Sequence, residues 1–280
     1  MKRVGRHIGF IGAGNMASAL IRGLLAARIY RPSGVWVADP VARQRRTLQR
    51  RHGIGAARDN RELVRESRTV VLAVKPQVLP QVLEEIQPEV TADKLFVSIV
   101  AGFPLRRLEQ GLGGSAKVVR TMPNTPALLG RGMTAVARGK NARVSDERLA
   151  LRIFRAVGDA LTVGDEALLD PVTGLSGSGP AYVYLFAEAL IDGAVREGVP
   201  LPVARRLAFQ TLDGAAAMLR ESGLGPRELR EMVTSPGGTT LAGLASLEKA
   251  GFPAIVAAAV AAATSRSREL GAAGSSGGKG

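Results

Sequence analysis

The chain has 280 residues, of which 46% are hydrophobic and 22% charged, so it can bury a substantial core and is not expected to be disordered. It has no cysteine, which excludes disulfides and thiolate chemistry and indicates a reducing, cytoplasmic location. With only two histidines, zinc catalysis is not expected. The 38 Lys and Arg residues outnumber the 24 Asp and Glu residues, and the net charge of +14 fits either an arginine-rich surface or anionic ligands.

Short apolar runs alternate with amphipathic segments through residues 1–165, a pattern typical of crossover helices on a parallel sheet. Strands are predicted at residues 7–11, 35–38, 69–74, 95–99, 118–122, 133–137 and 160–163. Helices are predicted between them at residues 16–27, 41–51, 79–87 and 104–110. The first domain is therefore predicted to be a doubly wound α/β domain with a mostly parallel sheet.

Residues 166–270 contain no strand-like run and show an alanine-rich helical pattern. Helices are predicted at residues 180–197, 202–221, 226–233, 240–249 and 253–270, which gives an all-α second domain. Residues 271–280 are almost wholly Gly, Ala and Ser and are predicted to form a disordered tail. No export signal is expected at the start of the chain, and no apolar run is long enough to predict a membrane span.

A glycine turn follows the first predicted strand and leads directly into a helix. Gly12-Ala13-Gly14-Asn15-Met16-Ala17 has the G-x-G-x-x-A pattern. Gly12 would permit the tight turn, Gly14 would let a phosphate approach the backbone, and Ala17 would pack closely. Because the helix N-terminus presents free N–H groups, this segment predicts a dinucleotide site of the Rossmann type.

The end of the second strand carries conflicting signals about the cofactor. Asp39 lies where an acidic residue binds the ribose hydroxyls of NADH, whereas Arg43, Arg45 and Arg46 follow within two helical turns and would suit the 2′-phosphate of NADPH. The same basic run has no interleaved aromatic residue to stack on bases, so nucleic acid is not expected as a partner. A solvated helix face would explain the arginines equally well.

Two further segments fall at the carboxyl ends of predicted strands, where ligands of open parallel sheets bind. They are Val74-Lys75-Pro76 and Val100-Ala101-Gly102, and both are predicted to contact the cofactor.

The sequence offers no suitably placed proton donor of the kind that ketone reduction needs. His7 lies at a strand start and His52 in the basic run, and no tyrosine has a lysine four residues later. An iminium substrate carries its own positive charge, so hydride addition gives a neutral amine without a strong enzyme acid. This indicates an imine substrate, which the glycine- and hydroxyl-rich segment 233–241 could hold by a carboxylate at a helix N-terminus. A capped helix start would account for the same segment.

Five motifs together resemble the pyrroline-5-carboxylate reductases, the family that catalyses the last step of proline synthesis. The motifs, which span about residues 7–270, are GFIGAGNM at 9–16, AVKP at 73–76, MPNTP at 122–126, GLSGSGPAY at 174–182 and TSPGGTT at 234–240. The resemblance implies a Rossmann-type domain followed by an all-α dimerisation domain, and a homo-oligomer built from dimers, with a decamer as a common form.

The resemblance also implies site residues. NADPH, with NADH also accepted, would contact Ile11, Gly12, Ala13, Gly14, Asn15, Met16, Asn60, Val74, Lys75, Pro76, Val100, Ala101 and Gly102, with Glu166 nearby. Asp39 and Arg43 complete the predicted cofactor set because of their position at and after the end of the second strand. A cyclic imino acid would bind Ser235, Gly238, Thr239 and Thr240, and the Thr240 hydroxyl would act at the ring nitrogen. Asp39-Pro40 departs from the small hydroxyl residue of many members, which leaves the NADPH preference open.

Three alternatives remain. The first is an imine reductase for the six-membered homologue, and the second is a non-enzymatic module that senses dinucleotides or binds nucleic acid. The third is the 3-hydroxyacid dehydrogenase group, which shares the glycine pattern at 174–179 but needs a lysine and an asparagine where this chain has Val183 and Ala187.

Overall fold

The computed structural model describes residues 7–273. They form two compact units: the first contains residues up to 178 together with those from 261 onward, and the second contains residues 179–260. The sequence predicted a domain boundary after residue 165. The two compact units instead separate at residue 178, and residues from 261 onward belong to the first unit. The domain boundaries drawn from the sequence stay a prediction.

An eight-stranded sheet in the order β3-β2-β1-β4-β5-β6-β7-β8 forms the centre of the first unit. Only the β6–β7 pair is antiparallel, which confirms the predicted mostly parallel sheet. The strands are β1 (Ile8–Ile11), β2 (Val35–Ala38), β3 (Gly55–Ala56), β4 (Thr69–Leu72), β5 (Leu95–Ser98), β6 (Lys117–Met122), β7 (Gly132–Arg138) and β8 (Gly158–Thr162). Successive strands are added on one side of β1 as far as β3 and then, from β4 onward, on its other side. Such a switch in strand order opens a ligand crevice at the carboxyl ends of the two parallel strands β1 and β4.

Helices cover both faces of this sheet. They are α1 (Asn15–Ala26), α2 (Ala42–His52), α3 (Asn60–Glu66), α4 (Leu79–Ile86), α5 (Leu105–Gly111), α6 (Val144–Phe154) and the short α7 (Leu169–Val172). One hydrophobic core lies under α1 and α6, and the other lies under α3, α4 and α5. β1, β4 and β5 are buried along their whole length, which explains why they are continuous apolar runs rather than alternating ones.

The second unit is helical, as predicted. It contains α8 (Gly179–Arg196), α9 (Leu201–Glu221), α10 (Pro226–Met232), α11 (Thr239–Lys249) and the first part of α12 (Phe252–Ala273). Its buried apolar cluster contains only Ile191, Ala204 and Ala208, whereas many large apolar side chains on the same helices are exposed.

The C-terminal helix is longer than the sequence pattern indicated. α12 continues through Ala273, so residues 271–273, which were expected in a disordered tail, are helical. The rest of that tail lies outside the described residues. No single helix among residues 7–273 is long and apolar enough to cross a membrane, although α11 and α12, bent by 51°, reach that length and composition when taken together.

Candidate active site

The glycine turn after β1 has the geometry of a phosphate site. Gly12 has φ +102°, and a Cβ there would lie 2.4 Å from the Ala73 carbonyl oxygen, so only glycine fits. A Cβ on Gly14 would meet nothing within 4 Å, which leaves open space in front of the backbone. α1 starts directly after this residue with no side-chain cap and no acid in its first turn. The free N–H groups of this helix start therefore fit a pyrophosphate.

Asp39 is bound to the backbone on both sides. One carboxylate oxygen accepts a hydrogen bond from Ala13 N and the other accepts one from Val41 N, both at 2.8 Å. The carboxylate thus ties the glycine turn to the start of α2, a role that the sequence pattern did not reveal. A carboxylate has lone pairs for further donors, but two of its acceptor sites are already used.

A cleft of about 380 Å³ lies at the carboxyl edge of the sheet. Five of the predicted cofactor residues line it, namely Ile11, Gly12, Asp39, Asn60 and Val74. Five further polar residues share this lining. Arg45 belongs to the basic run considered for a 2′-phosphate, and the sequence pattern did not single out the other four, which are Arg58, Asp59, Gln81 and Glu85. The other predicted cofactor residues are not part of this lining; they lie on the glycine turn and first turn of α1, on α2, and in the loops after β4 and β5.

Arg45, rather than Arg43, faces this cleft. The Arg45 guanidinium is half-buried and donates to the Asp39 carbonyl oxygen, whereas Arg43 is exposed and does not line the cleft. Arg58 lines the cleft as well and is paired with Glu62 at 3.3 Å. The contact of Arg43 with the cofactor stays a prediction.

Asn60 is held at the start of α3, and both ends of that helix are tied down. The Asn60 side-chain amide donates to Glu85 Oε2 at 2.7 Å, and the preceding residue Asp59 caps the helix by accepting from Glu62 N. At the other end of α3 the buried Lys94 ammonium donates to the carbonyl oxygens of Val64, Arg65 and Ser67 at 2.5, 3.2 and 3.1 Å. This arrangement satisfies the last carbonyls of the helix.

The loops after β4 and β5 lie at the same edge of the sheet as the glycine turn. Val74 is half-buried and Lys75 and Pro76 are exposed; Val100 and Gly102 are buried. Gly102 has φ +64°, and a Cβ there would lie 2.9 Å from Leu270 Cβ on α12. The C-terminal part of α12 therefore covers the second loop. A hydrogen bond of 2.6 Å from Ser267 to Asp170 holds the same part of α12.

Glu166 links two elements of the first unit through one carboxylate oxygen. One of its oxygens accepts from the Arg120 guanidinium and from Leu105 N, both at 2.7 Å. Arg120 has only 8% of its side chain exposed, so this pair joins β6 to the start of α5 away from solvent. Its predicted place near the cofactor stays a prediction.

Asn124 in the MPNTP motif joins two loops of the first unit. Its amide donates to the Ser176 carbonyl and hydroxyl at 3.2 and 3.3 Å, and its oxygen accepts from Met133 N at 2.8 Å. Ser176 lies in a π-helical turn, Thr173–Gly177, and a Cβ on Gly177 would be 2.5 Å from Met122 Cε. The small residues of the glycine-rich motif thus allow close packing.

The predicted carboxylate-binding loop lies in the second unit. Gly237 has φ +69°, and Gly238 begins α11 as an extended cap residue without a side-chain cap bond. α11 has no acid in its first turn, and Thr240 is half-buried at its second position while Thr239 is exposed. The N–H groups at this helix start can therefore receive a carboxylate.

The described residues contain no group of three or more His, Asp or Glu side chains suited to a metal ion. Of the two histidines, His7 contacts the Glu66 carbonyl, and burial together with the charges of Arg51 and Arg22 lowers the pKa of His52. Tyr182 donates to the Ala259 carbonyl at 3.4 Å. These contacts agree with a reaction that needs no strong acid from the protein.

Comparisons with known proteins agree with this geometry. Residues 166–270 match the profile described as "Pyrroline-5-carboxylate reductase dimerisation", and residues 7–102 match "NADP oxidoreductase coenzyme F420-dependent". The pyrroline-5-carboxylate reductase of Methanosarcina acetivorans is 48% identical over 266 residues, 95% of this chain and 98% of that protein.

Two solved structures are similar over nearly the whole chain. The pyrroline-5-carboxylate reductase of Coxiella burnetii has a TM-score of 0.90 at 35% identity and covers 95% of this chain and 98% of its own. The pyrroline carboxylate reductase of Plasmodium falciparum with NADP bound has a TM-score of 0.86 at 35% identity and covers 96% and 100%. The chain therefore belongs to the pyrroline-5-carboxylate reductase family.

Proposed function

We propose that, in the reduction of L-1-pyrroline-5-carboxylate to L-proline, the start of α11 binds the substrate and orients it for hydride transfer. The chain is an NAD(P)H-dependent oxidoreductase of proline synthesis and acts on a C=N bond. The substrate carboxylate binds the N–H groups at the start of α11, between Ser235 and Thr240. The observation that carries this proposal is the uncapped, acid-free first turn of that helix.

Thr240 orients the ring nitrogen of the substrate. Its hydroxyl is half-buried at the second position of α11, whereas the neighbouring Thr239 is exposed and serves the carboxylate with Ser235 and Gly238. NAD(P)H supplies the hydride when it is bound. The iminium carbon accepts that hydride with its electron pair, and the C=N π electrons become the nitrogen lone pair of the neutral amine. Solvent then provides the one proton that converts this amine to the ammonium form. The protein therefore binds and orients the substrate and need not donate a proton.

NADPH is proposed as the preferred cofactor. Arg45 and Arg58 line the cleft at the end of β2, and Asp39 has both carboxylate oxygens engaged by backbone N–H groups. A guanidinium beside an already bound carboxylate favours a 2′-phosphate over free ribose hydroxyls. NADH would bind the same glycine turn without this contact.

The enzyme oligomerises, and we propose a dimer formed through the second unit. The support is the contrast between its three-residue buried cluster and the large exposed side chains on α8 and α9, including Tyr184, Leu185, Leu207 and Phe209. A helical unit with so little core of its own fits a shared interface. Assembly of dimers into a decamer, the cytoplasmic location, and the absence of membrane and nucleic-acid partners remain predictions.

The replacement Thr240→Val tests the role of the hydroxyl. Valine keeps the shape of threonine and removes the donor and acceptor, so catalytic efficiency with pyrroline-5-carboxylate should fall by about tenfold to a hundredfold. The matched control is Thr162→Val, the same change at an exposed position of β8.

The assay is pyrroline-5-carboxylate-dependent oxidation of NADPH, with NADH and the six-membered imine run in parallel. Equal efficiencies for Thr240→Val and Thr162→Val would refute the assignment of Thr240. Nothing in the site favours the six-membered homologue, the hydroxyacid or the non-enzymatic alternative, and the parallel substrate assay compares the two ring sizes directly.

A further inference from the structure

A basic groove lies at the amino ends of three strands, on the edge of the sheet opposite the cofactor loops. The groove, here called the amino-edge groove, has a volume of about 410 Å³. The first residues of β4, β5 and β6 form one side of the groove, and α6 forms the opposite side. On α6 the residues Ser145, Arg148, Leu149 and Arg152 line it, and their spacing of three and four places them on one face of the helix.

Four cations line the amino-edge groove. Arg68 and Lys117 belong to the strand side, and Arg148 and Arg152 to α6. Arg68, Lys117 and Arg148 make no ion pair within 4.0 Å with any residue in the described part of the chain. Bringing like charges together with too few counter-charges is unfavourable, so this cluster attracts an anion.

The two acids of the groove accept local hydrogen bonds and offset only part of this positive charge. The Thr91 hydroxyl first, and then the charges of Lys94 and Arg68, lower the pKa of Asp93. Asp146 accepts from Arg143 N at 2.8 Å and so caps the start of α6, and Asp93 accepts from the Thr91 hydroxyl at 2.6 Å. Even without Arg152, the three cations Arg68, Lys117 and Arg148 outnumber the two carboxylates of the lining by one. Arginine forks match phosphate oxygens well, and the buried Leu95 and half-buried Leu149 provide an apolar surface beside them.

We propose that the amino-edge groove binds a small organic or inorganic diphosphate, at a site separate from the cofactor cleft. β4 and β5 begin in the groove and end at the loops Val74–Pro76 and Val100–Gly102. A strand of four residues spans about 13 Å, so a ligand in the groove does not overlap the cofactor. The groove takes no part in the proposed reduction, and its occupancy is independent of that function.

Calorimetric titration of inorganic pyrophosphate into the full chain tests this site. Saturating NADPH is present throughout, so that the glycine turn is occupied. We expect saturable binding by the wild-type protein and about tenfold weaker binding after Arg148→Gln or Lys117→Gln, because each removes one charged contact to phosphate. The matched control is Arg50→Gln, which removes the same charge from an exposed position of α2.

Three results would overturn the proposal. They are no saturable binding by the wild-type protein with NADPH present, unchanged affinity in both groove variants, and an equal loss of affinity in Arg50→Gln. Thermal unfolding of each variant shows that the fold is kept, and Lys117→Gln serves as the second test where Arg148→Gln alters the fold.

Discussion

Asp39 is predicted to be a structural anchor of the cofactor turn, and the replacement Asp39→Asn separates this role from ribose binding. An amide keeps one acceptor oxygen and turns an N–H group toward the other backbone donor. One of the two 2.8 Å bonds is then lost, and a hydrogen bond to a charged acceptor is worth about 1.5–3 kcal/mol.

Since Ala13 N belongs to the glycine turn, the loss reaches both cofactors through the shared pyrophosphate site. If about 1.4 kcal/mol of the lost hydrogen-bond energy reduces cofactor binding, the dissociation constants of NADPH and NADH each rise by about tenfold. The assay is a fluorescence titration of both cofactors, with Glu84→Gln on the exposed face of α4 as the control for a lost negative charge. Weaker binding of NADH with unchanged binding of NADPH would refute the anchor role and assign Asp39 to the ribose.

Two further predictions concern Lys94 and Arg45. Lys94→Met leaves three carbonyl oxygens without their donor, and it should lower the free energy of unfolding in urea by about 2–4 kcal/mol. Burial lowers the pKa of Lys94 in the folded protein below the ordinary value of 10.5. Between these two pKa values the unfolded chain binds more protons than the folded one, so the stability of the wild-type protein rises with pH in that range. The Lys94→Met variant should lack this rise, and identical pH profiles of stability for the two proteins would contradict the prediction. Arg45→Gln should lower kcat/KM by about tenfold with NADPH and by less with NADH, whereas the exposed Arg46→Gln should affect neither; equal losses with both cofactors would count against Arg45.

The parts of the fold with local signals could be predicted from the sequence. The buried strands are continuous apolar runs, and the turn at Gly12 is recognisable because strand, glycine and helix follow one another in the chain. The sequence pattern does not predict β3, α3, α6 or the four-residue α7. β3 has two residues and α3 has seven, which is too short for a clear period. α6 carries charged residues through its first turns, so its buried face is narrow.

Asp39 and Asn60 were predicted as site residues, but their contacts could not be predicted because they join distant parts of the chain. Asp39 binds Ala13 N, 26 residues away, and Asn60 pairs with Glu85, 25 residues away. Which arginine of α2 faces the cleft depends on how that helix is rotated against β2, and its pattern of five arginines among eleven residues does not fix that rotation. Composition was more informative about chemistry, because the scarcity of suitably placed acids and bases by itself indicates an imine substrate.

The contact of Leu270 with Gly102 has a consequence for how the protein is made. The cofactor unit is discontinuous in sequence, since its final residues follow the whole helical second unit. During synthesis the sheet can form early, because all eight strands end by Thr162, but the loop at Gly102 gains its cover only after residue 270 has left the ribosome. A chain that stops within α12 before Leu270 would therefore carry a complete sheet with an uncovered loop at Gly102, and the first unit is finished last although it is begun first.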